Sequence, residues 1–369
     1  MNPAGTVDTE KRLAAMRKAM QETGADLVAL APSANMDWLV GFHPMATERL
    51  CLLIVGMTTE AFVLPSLDVE AVRTMTNIPY FVCRDEDSPS HALEAALEAV
   101  GGKTARKVVF DETMRADHVL LLIDALPDAQ RSVTTGTIGA LRMRKGEDEI
   151  AGLRAIAEIN DEAMEAAFAA IGAGRSELEV ETAIKEAFTR HGAKLGYWVI
   201  GGGPNSAYPH HITGERKLAM GDAVVIDIAG YRDGYYSDMT RMAAVGHAPE
   251  GYDQIHAIVN RAVEAGIRAA RVGARAKDVD DAARQVITEA GYGDYFVHRT
   301  GHGIGLEVHE PPYITASSQT LLDEGMTFTI EPGIYLPGRF GIRLEEIVVV
   351  RKAGAEILSS LSRDLRIVR

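Results

Sequence analysis

The residues best equipped for chemistry form a sparse series in the second half of the chain. Asp227 and Asp238 lie eleven residues apart, His302 sits in Gly301-His302-Gly303, His309 follows seven residues later, and Glu331 and Glu345 come after it. Asp227 interrupts the apolar run Val224-Val-Ile-Asp227-Ile-Ala, where an unpaired carboxylate is costly to bury. Each aspartate alone reads as a hydrogen-bonded structural carboxylate. Two on one face would repel, raising the pKa of one unless a cation holds both. Hard oxygen donors with one imidazole suit Mn²⁺, Co²⁺, Zn²⁺ or Fe²⁺. Four carboxylates and one histidine exceed what one catalytic ion needs, and fit two ions about 3.5–4 Å apart that share bridging carboxylates. Such a pair acidifies water and polarises a carbonyl, which is metal-assisted hydrolysis. A mononuclear or purely structural site is the alternative.

Two hairpins must bring these residues together. Asp233-Gly234 separates the runs Ala223–Ala229 and Tyr235–Val245, and Asp-Gly between strand patterns signals a two-residue turn. That register puts Asp227 opposite Thr240, with Asp238 on the same face. Farther on, Met326–Tyr335 and Ile342–Val350 flank Pro337-Gly338. A three-residue loop centred on Gly338 puts Glu331 opposite Glu345 and Arg343 on the face of Glu345. Glu346 then points the other way, as a solvated strand charge. Helical periodicity over Ile150–Ile171 and Leu178–Phe188, and again over Tyr252–Ala270 and Ala276–Ala290, precedes each hairpin. Helix, helix, strand pair, repeated after about a hundred residues, predicts an internally duplicated α+β domain. Glycine-rich segments, Gly201-Gly-Gly203-Pro204 and the surroundings of His302, fall between helices and hairpins and read as loops walling a cleft.

The remaining sequence bounds the context. At 369 residues the chain exceeds the usual single core. The charged run Leu141–Glu149 reads as a solvated linker entering a helix, and divides the chain into 1–140 and 141–369. The first part alternates apolar runs (Asp26–Ala31, Leu50–Val55, Ala61–Leu64, Tyr80–Cys83, Lys107–Phe110) with helical stretches, which predicts an α/β domain. Asp111, at the end of one run, reads as a helix cap. Net charge of −14 argues against sequence-independent nucleic-acid binding. No apolar run is long enough to span a bilayer, and charged residues interrupt the N-terminal stretch where a signal peptide would need an apolar core. Cys51 and Cys83 read as reduced thiols of a cytoplasmic protein.

With these motifs in view, the chain resembles the pita-bread metallopeptidases. Asp227, Asp238, His302 in Gly-His-Gly, Glu331 in Ile-Glu-Pro-Gly and Glu345 in Arg-x-Glu match that family's five metal ligands. The chain is most similar to its Xaa-Pro branch, prolidase and aminopeptidase P. The first domain carries the resemblance weakly, through its α/β pattern and Asn35–Phe42. The resemblance implies a creatinase-like N-terminal domain, a pita-bread catalytic domain, two divalent ions (Mn²⁺, Co²⁺ or Zn²⁺) and a homodimer. It implies peptide substrates with proline second, with Xaa-Pro dipeptidase favoured over aminopeptidase P. By the same resemblance Asp227 binds one ion, His302 and Glu331 the other, Asp238 and Glu345 bridge, and Glu331 also moves a proton. His309 and His210 match histidines that hold substrate, and Arg343 supports a ligand carboxylate. Thr240 is expected to bond Asp238 or Asp227. His211 departs from the family's Pro-His-Gly and is assigned to the pocket wall; His298 is expected to position the glycine-rich stretch. Arg49 and His43 are candidates for a substrate carboxylate. Methionine aminopeptidases share the ligands but generally lack the first domain. Creatinase-like metal-free hydrolases and non-catalytic binding modules are the rivals, and an intact set of five ligands disfavours both.

Overall fold

The computed structural model describes residues 7–369; residues 1–6 of the first expected domain lie outside the described residues. The chain divides into two compact units, one ending at Arg142 and one spanning Met143–Arg369.

The first unit is an α/β layer. Its strands are β1 (Leu27–Leu30), β2 (Leu52–Gly56), β3 (Glu60–Pro65), β4 (Tyr80–Cys83), β5 (Lys107–Phe110) and β6 (Gln130–Val133), in the order β4-β3-β2-β1-β5-β6. Helices α1 (Thr9–Thr23), α2 (Ala34–Val40), α3 (Val69–Arg73), α4 (Pro89–Ala99), α5 (Ala116–Ala125) and α6 (Ile138–Arg142) alternate with them. Gly24 closes α1 in the left-handed region, where glycine carries no Cβ penalty. The five apolar runs are the first five strands. The sixth, Gln-Arg-Ser-Val, is a largely exposed edge without an apolar signal. Asp111 does not cap a helix: its buried carboxylate accepts from the Thr113 N–H and hydroxyl and from the Ser33 hydroxyl, closing a turn.

The second unit holds the duplication. Helices α7 (Glu147–Ala170) and α8 (Glu177–Arg190) precede β7 (Lys194–Gly202), β8 (Ala223–Arg232), β9 (Tyr235–Tyr236) and β10 (Met239–Val245). Helices α9 (Tyr252–Ala269) and α10 (Ala276–Glu289) precede β11 (Gly301–Gly303), β12 (Glu310–Ile314), β13 (Thr327–Ile330), β14 (Gly333–Leu336), β15 (Phe340–Arg343) and β16 (Glu346–Arg351). Short strands β17 (Gly354–Ile357) and β18 (Arg366–Val368) complete sheets ordered β18-β10-β8-β7 and β12-β11-β13-β16-β17. Strand β9 pairs with β8, and β14 with β15. Apolar faces of α7 and α8 meet the inner faces of β7, β8 and β10 in a continuous core. Helix α9 approaches β13 so closely at Gly266 that a Cβ there would lie 2.8 Å from Ile330.

Three further expectations need correction. Both glycine-rich segments contain strands, β7 and β11, because backbone pairing to β8 and β13 compensates for missing side chains. The charged run is not a solvated linker. Arg142 and Lys145 are buried, and Lys145 Nζ lies 2.6 Å from the equally buried Glu310. Glu346 is likewise no solvated charge: Arg241, fully buried, donates to it at 2.9 Å and Arg363 at 3.0 Å. Removing one partner of a buried pair costs at most about 3–5 kcal/mol, less here because Arg363 stays on Glu346. Arg241→Met is therefore expected to lower the denaturant midpoint by a corresponding amount; an unchanged midpoint would contradict a structural role for the pair.

Candidate metal centre

Both hairpins keep one register from turn to end. Asp233 (φ 51°) and Gly234 (φ 90°) make the first turn, and Thr240 pairs with Asp227. In the second, Leu336 pairs with Phe340 around Gly338, and the same register resumes at Ile330 and Glu346. Between those two stretches pairing lapses, and Glu331 and Glu345 occupy the facing gaps. Ser237 and Asp238 form the corresponding lapse in the first hairpin. Asp238 and Glu345 thus each sit immediately before the return strand of their own hairpin, free to turn a side chain out of the ladder.

His302 is set between them by backbone contact. A Cβ on Gly301 would lie 1.9 Å from the Thr329 carbonyl oxygen, and one on Gly303 would lie 2.3 Å from that of Pro311. These glycines serve close approach rather than an unusual backbone angle. The Nδ1–H of His302 donates to the Gly303 carbonyl at 3.1 Å, which leaves the Nε2 lone pair aimed at Glu331 (3.3 Å) and Asp238 (3.7 Å). Burial, with His309 adjacent, pushes the His302 pKa down to about 3, so the ring is a neutral donor of electrons.

Ligand atoms of Asp238, His302 and Glu345 lie within 4.8 Å of one another. Burial and the neighbouring carboxylates raise Asp238 and Glu345 well above the ordinary range. Glu331 is pushed up to about 7, burial first, with Arg343 opposing. Asp238 Oδ1 and Glu345 Oε1 are buried without a hydrogen-bond partner among the described residues. Asp227 faces the same group, but its Oδ2 accepts from Arg343 at 2.5 Å. Orphaned carboxylate oxygens beside a neutral imidazole fit a divalent cation.

Around this cluster runs one chain of hydrogen bonds. Arg343 donates to Asp227, to the Tyr335 hydroxyl (2.7 Å) and to the Thr240 hydroxyl (3.1 Å). Thr240 in turn donates to Glu345 at 2.9 Å, correcting the expectation that it bonds an aspartate. His298 Nδ1 donates to the Arg299 carbonyl at 2.7 Å and its Nε2 accepts from Tyr335 at 2.8 Å. Its pKa falls to about 3, through burial and then Arg343, so it anchors that hydroxyl as a neutral ring. Sequence reasoning missed Tyr335, although the hairpin register makes it the diagonal neighbour of Arg343.

His309 packs its ring 3.9 Å from that of His302. Its Nδ1 accepts from Arg299 at 3.3 Å, and the Arg299 guanidinium stacks on Tyr313. No spacing signalled Arg299. His210 is exposed but close enough to depress the basicity of His298 and His309. His211 instead turns to Glu177 at 2.8 Å. His43 is engaged by Asp37 at 2.8 Å, and Arg49 by both oxygens of Asp85 at 2.8 and 2.9 Å.

A duplicated α+β unit carrying such a buried carboxylate–imidazole centre defines a metal-binding enzyme of the pita-bread class. The chain belongs to metallopeptidase family M24, whose model matches residues 151–352, while a creatinase/prolidase N-terminal domain matches residues 12–144. It is 38% identical to a probable dipeptidase PepE of Mycobacterium tuberculosis over 97% of this chain and 96% of that one. It is 33% identical to a Xaa-Pro dipeptidase of Pyrococcus horikoshii, over 94% and 96%. The solved structure of dipeptidase PepE from Mycobacterium ulcerans superposes with a TM-score of 0.93 at 37% identity, covering 99% of this chain and all of that one. No helix among the described residues is long and apolar enough to cross a membrane.

If a cation neutralises this cluster, chelation should lower the wild-type Tm by about 5–10 °C relative to ion at roughly a hundred times its Kd. Asp238→Ala should abolish that metal-dependent rise. A wild-type Tm indifferent to added Mn²⁺ and to chelator would contradict the assignment.

Proposed function

We propose that the chain is a dinuclear metallo-exopeptidase that cleaves the bond before proline in Xaa-Pro dipeptides. The observation that carries the metal-dependent part is the pair of orphaned oxygens on Asp238 and Glu345 beside the lone pair of His302. The substrate class is supported by the full-length similarity to proteins named Xaa-Pro dipeptidase. Asp227 and Asp238 from the first hairpin, and Glu331 and Glu345 from the second, would hold two divalent ions with His302. Bound ions supply Lewis acidity for the scissile carbonyl and acidify water. Mn²⁺, Co²⁺ and Zn²⁺ all suit the donor set.

The chain's own groups divide the remaining work. Glu331, with its pKa near neutrality, takes a proton from the attacking water and returns it to the departing proline nitrogen. His309, whose Nδ1 accepts from Arg299, keeps its proton on Nε2 as a donor. It and His210 steady the substrate and the oxygen that gains charge. Arg343 holds Asp227 in place and, through Thr240, Glu345 as well. A dipeptide also presents a carboxylate one residue beyond the scissile bond. Arg299, beside His309 and with no carboxylate partner among the described residues, supplies a matching cation. The reading includes the homodimer expected from the resemblance.

Matched Xaa-Pro and Xaa-Pro-Yaa peptides test this, with Mn²⁺, Co²⁺ or Zn²⁺ added. The dipeptide should be cleaved faster, and chelation should abolish the rate; preference for the longer peptide would overturn the dipeptidase reading. Arg299→Met should raise KM for the dipeptide about tenfold or more, the value of a charge-assisted hydrogen bond. KM for the corresponding dipeptide amide should change little. Equal effects on both substrates would contradict carboxylate recognition by Arg299.

A further inference from the structure

Glu177, the first residue of α8, is a fully buried carboxylate saturated by one segment of chain. Its Oε1 accepts from the Gly202 N–H and the Asn205 side-chain amide, both at 2.9 Å. Its Oε2 accepts from His211 Nε2 at 2.8 Å and the Gly214 N–H at 3.1 Å. Four donors fill the acceptor sites of an ionised carboxylate, and they span residues 202–214. Gly202, Gly203, Ser206 and Ala207 are buried, but the stretch around His210 is not: His210 is exposed, as are Tyr208 at 58% and Ile212 at 88%. A backbone bond from Gly341 to the Ser206 hydroxyl at 2.9 Å ties the same segment to β15, two residues from Arg343. Apolar packing around His210 itself is therefore sparse, and hydrogen bonds carry its placement: the four charge-assisted ones to Glu177, with the Thr213 hydroxyl accepting from the Ile200 N–H at 2.9 Å.

We propose that Glu177 is the positioning residue for His210, acting through His211 and the loop amides to hold that ring toward His309 and His298. The inference rests on the reading of His210 as a substrate-facing group. It assigns His211 a purpose different from lining a pocket wall. Nε2 of His211 donates to the buried carboxylate at 2.8 Å, so the residue next to the exposed His210 is pinned to Glu177.

The test is a double-mutant cycle on the metal-loaded full-length chain with an Xaa-Pro dipeptide. Glu177→Gln keeps shape but sets an amide N–H₂ against donors on one side. It should lower kcat at least tenfold while leaving bound metal and KM within about twofold. His210→Ala should lower kcat by a similar factor or more, and Glu177→Gln combined with His210→Ala should lose no more than His210→Ala alone. Multiplicative losses, or a wild-type kcat in Glu177→Gln, would overturn the positioning role. Should Glu177→Gln fail to fold, His211→Ala removes a single donor; its smaller loss should likewise vanish in the His210→Ala background, and persistence would overturn the proposal. A wild-type rate in His210→Ala would remove the premise itself, a failure distinct from additivity.

Discussion

Everything in the catalytic unit answers to one electrostatic constraint: four carboxylates held out of water with a single guanidinium among them. Two unit charges 4 Å apart repel by about 4 kcal/mol at the effective dielectric of a protein interior. Arg343 relieves Asp227 directly, yet Asp238 and Glu345 retain bare oxygens and hold protons well above the usual carboxylate range. A fold selected for stability alone would replace such a group with apolar side chains. Its persistence, in a unit otherwise packed with Val, Ile and Ala, makes sense when divalent cations supply the missing positive charge.

The architecture meets that constraint by interrupting its hairpins without losing register. Ladders fix the strands on both sides of each gap, so the unpaired residues are located to within a side chain's reach, yet can turn inward. Glycines around His302 then let a third strand come close enough for its imidazole to enter from the side. The surrounding hydrogen bonds run from His298 through Tyr335 and Arg343 to Asp227, and through Thr240 to Glu345. They connect carboxylates of both hairpins, Asp227 and Glu345, so the halves cannot shift independently. Similarity across nearly the full length to dipeptidases of this family fits a centre built by the whole duplicated unit rather than by a local motif.

Much of this was legible from the residues because strand geometry is periodic. Asp-Gly at the first turn and the loop centred on Gly338 determine which carboxylates share a face, and both registers hold in the structure. Hidden from the sequence were interactions made by charges that break the usual rules of burial. Lys145, Glu346 and Glu177 look like surface residues in the chain, but each is buried with a partner distant in sequence. Strands β7 and β11 were missed because glycine erases the alternation that marks a strand, and β6 because an exposed edge has no apolar face. Thr240 was given the wrong partner because register locates a side chain but not the direction of its hydroxyl.

Catalysis by this unit depends, on the reading proposed above, on cations joining the two hairpins. Calorimetric titration of chelator-treated protein with Mn²⁺ tests it most directly. About two ions should bind per chain, and Asp227→Asn should leave one tight site. A wild-type chain that binds no divalent ion, yet hydrolyses Xaa-Pro at its full rate, would contradict the account at its centre.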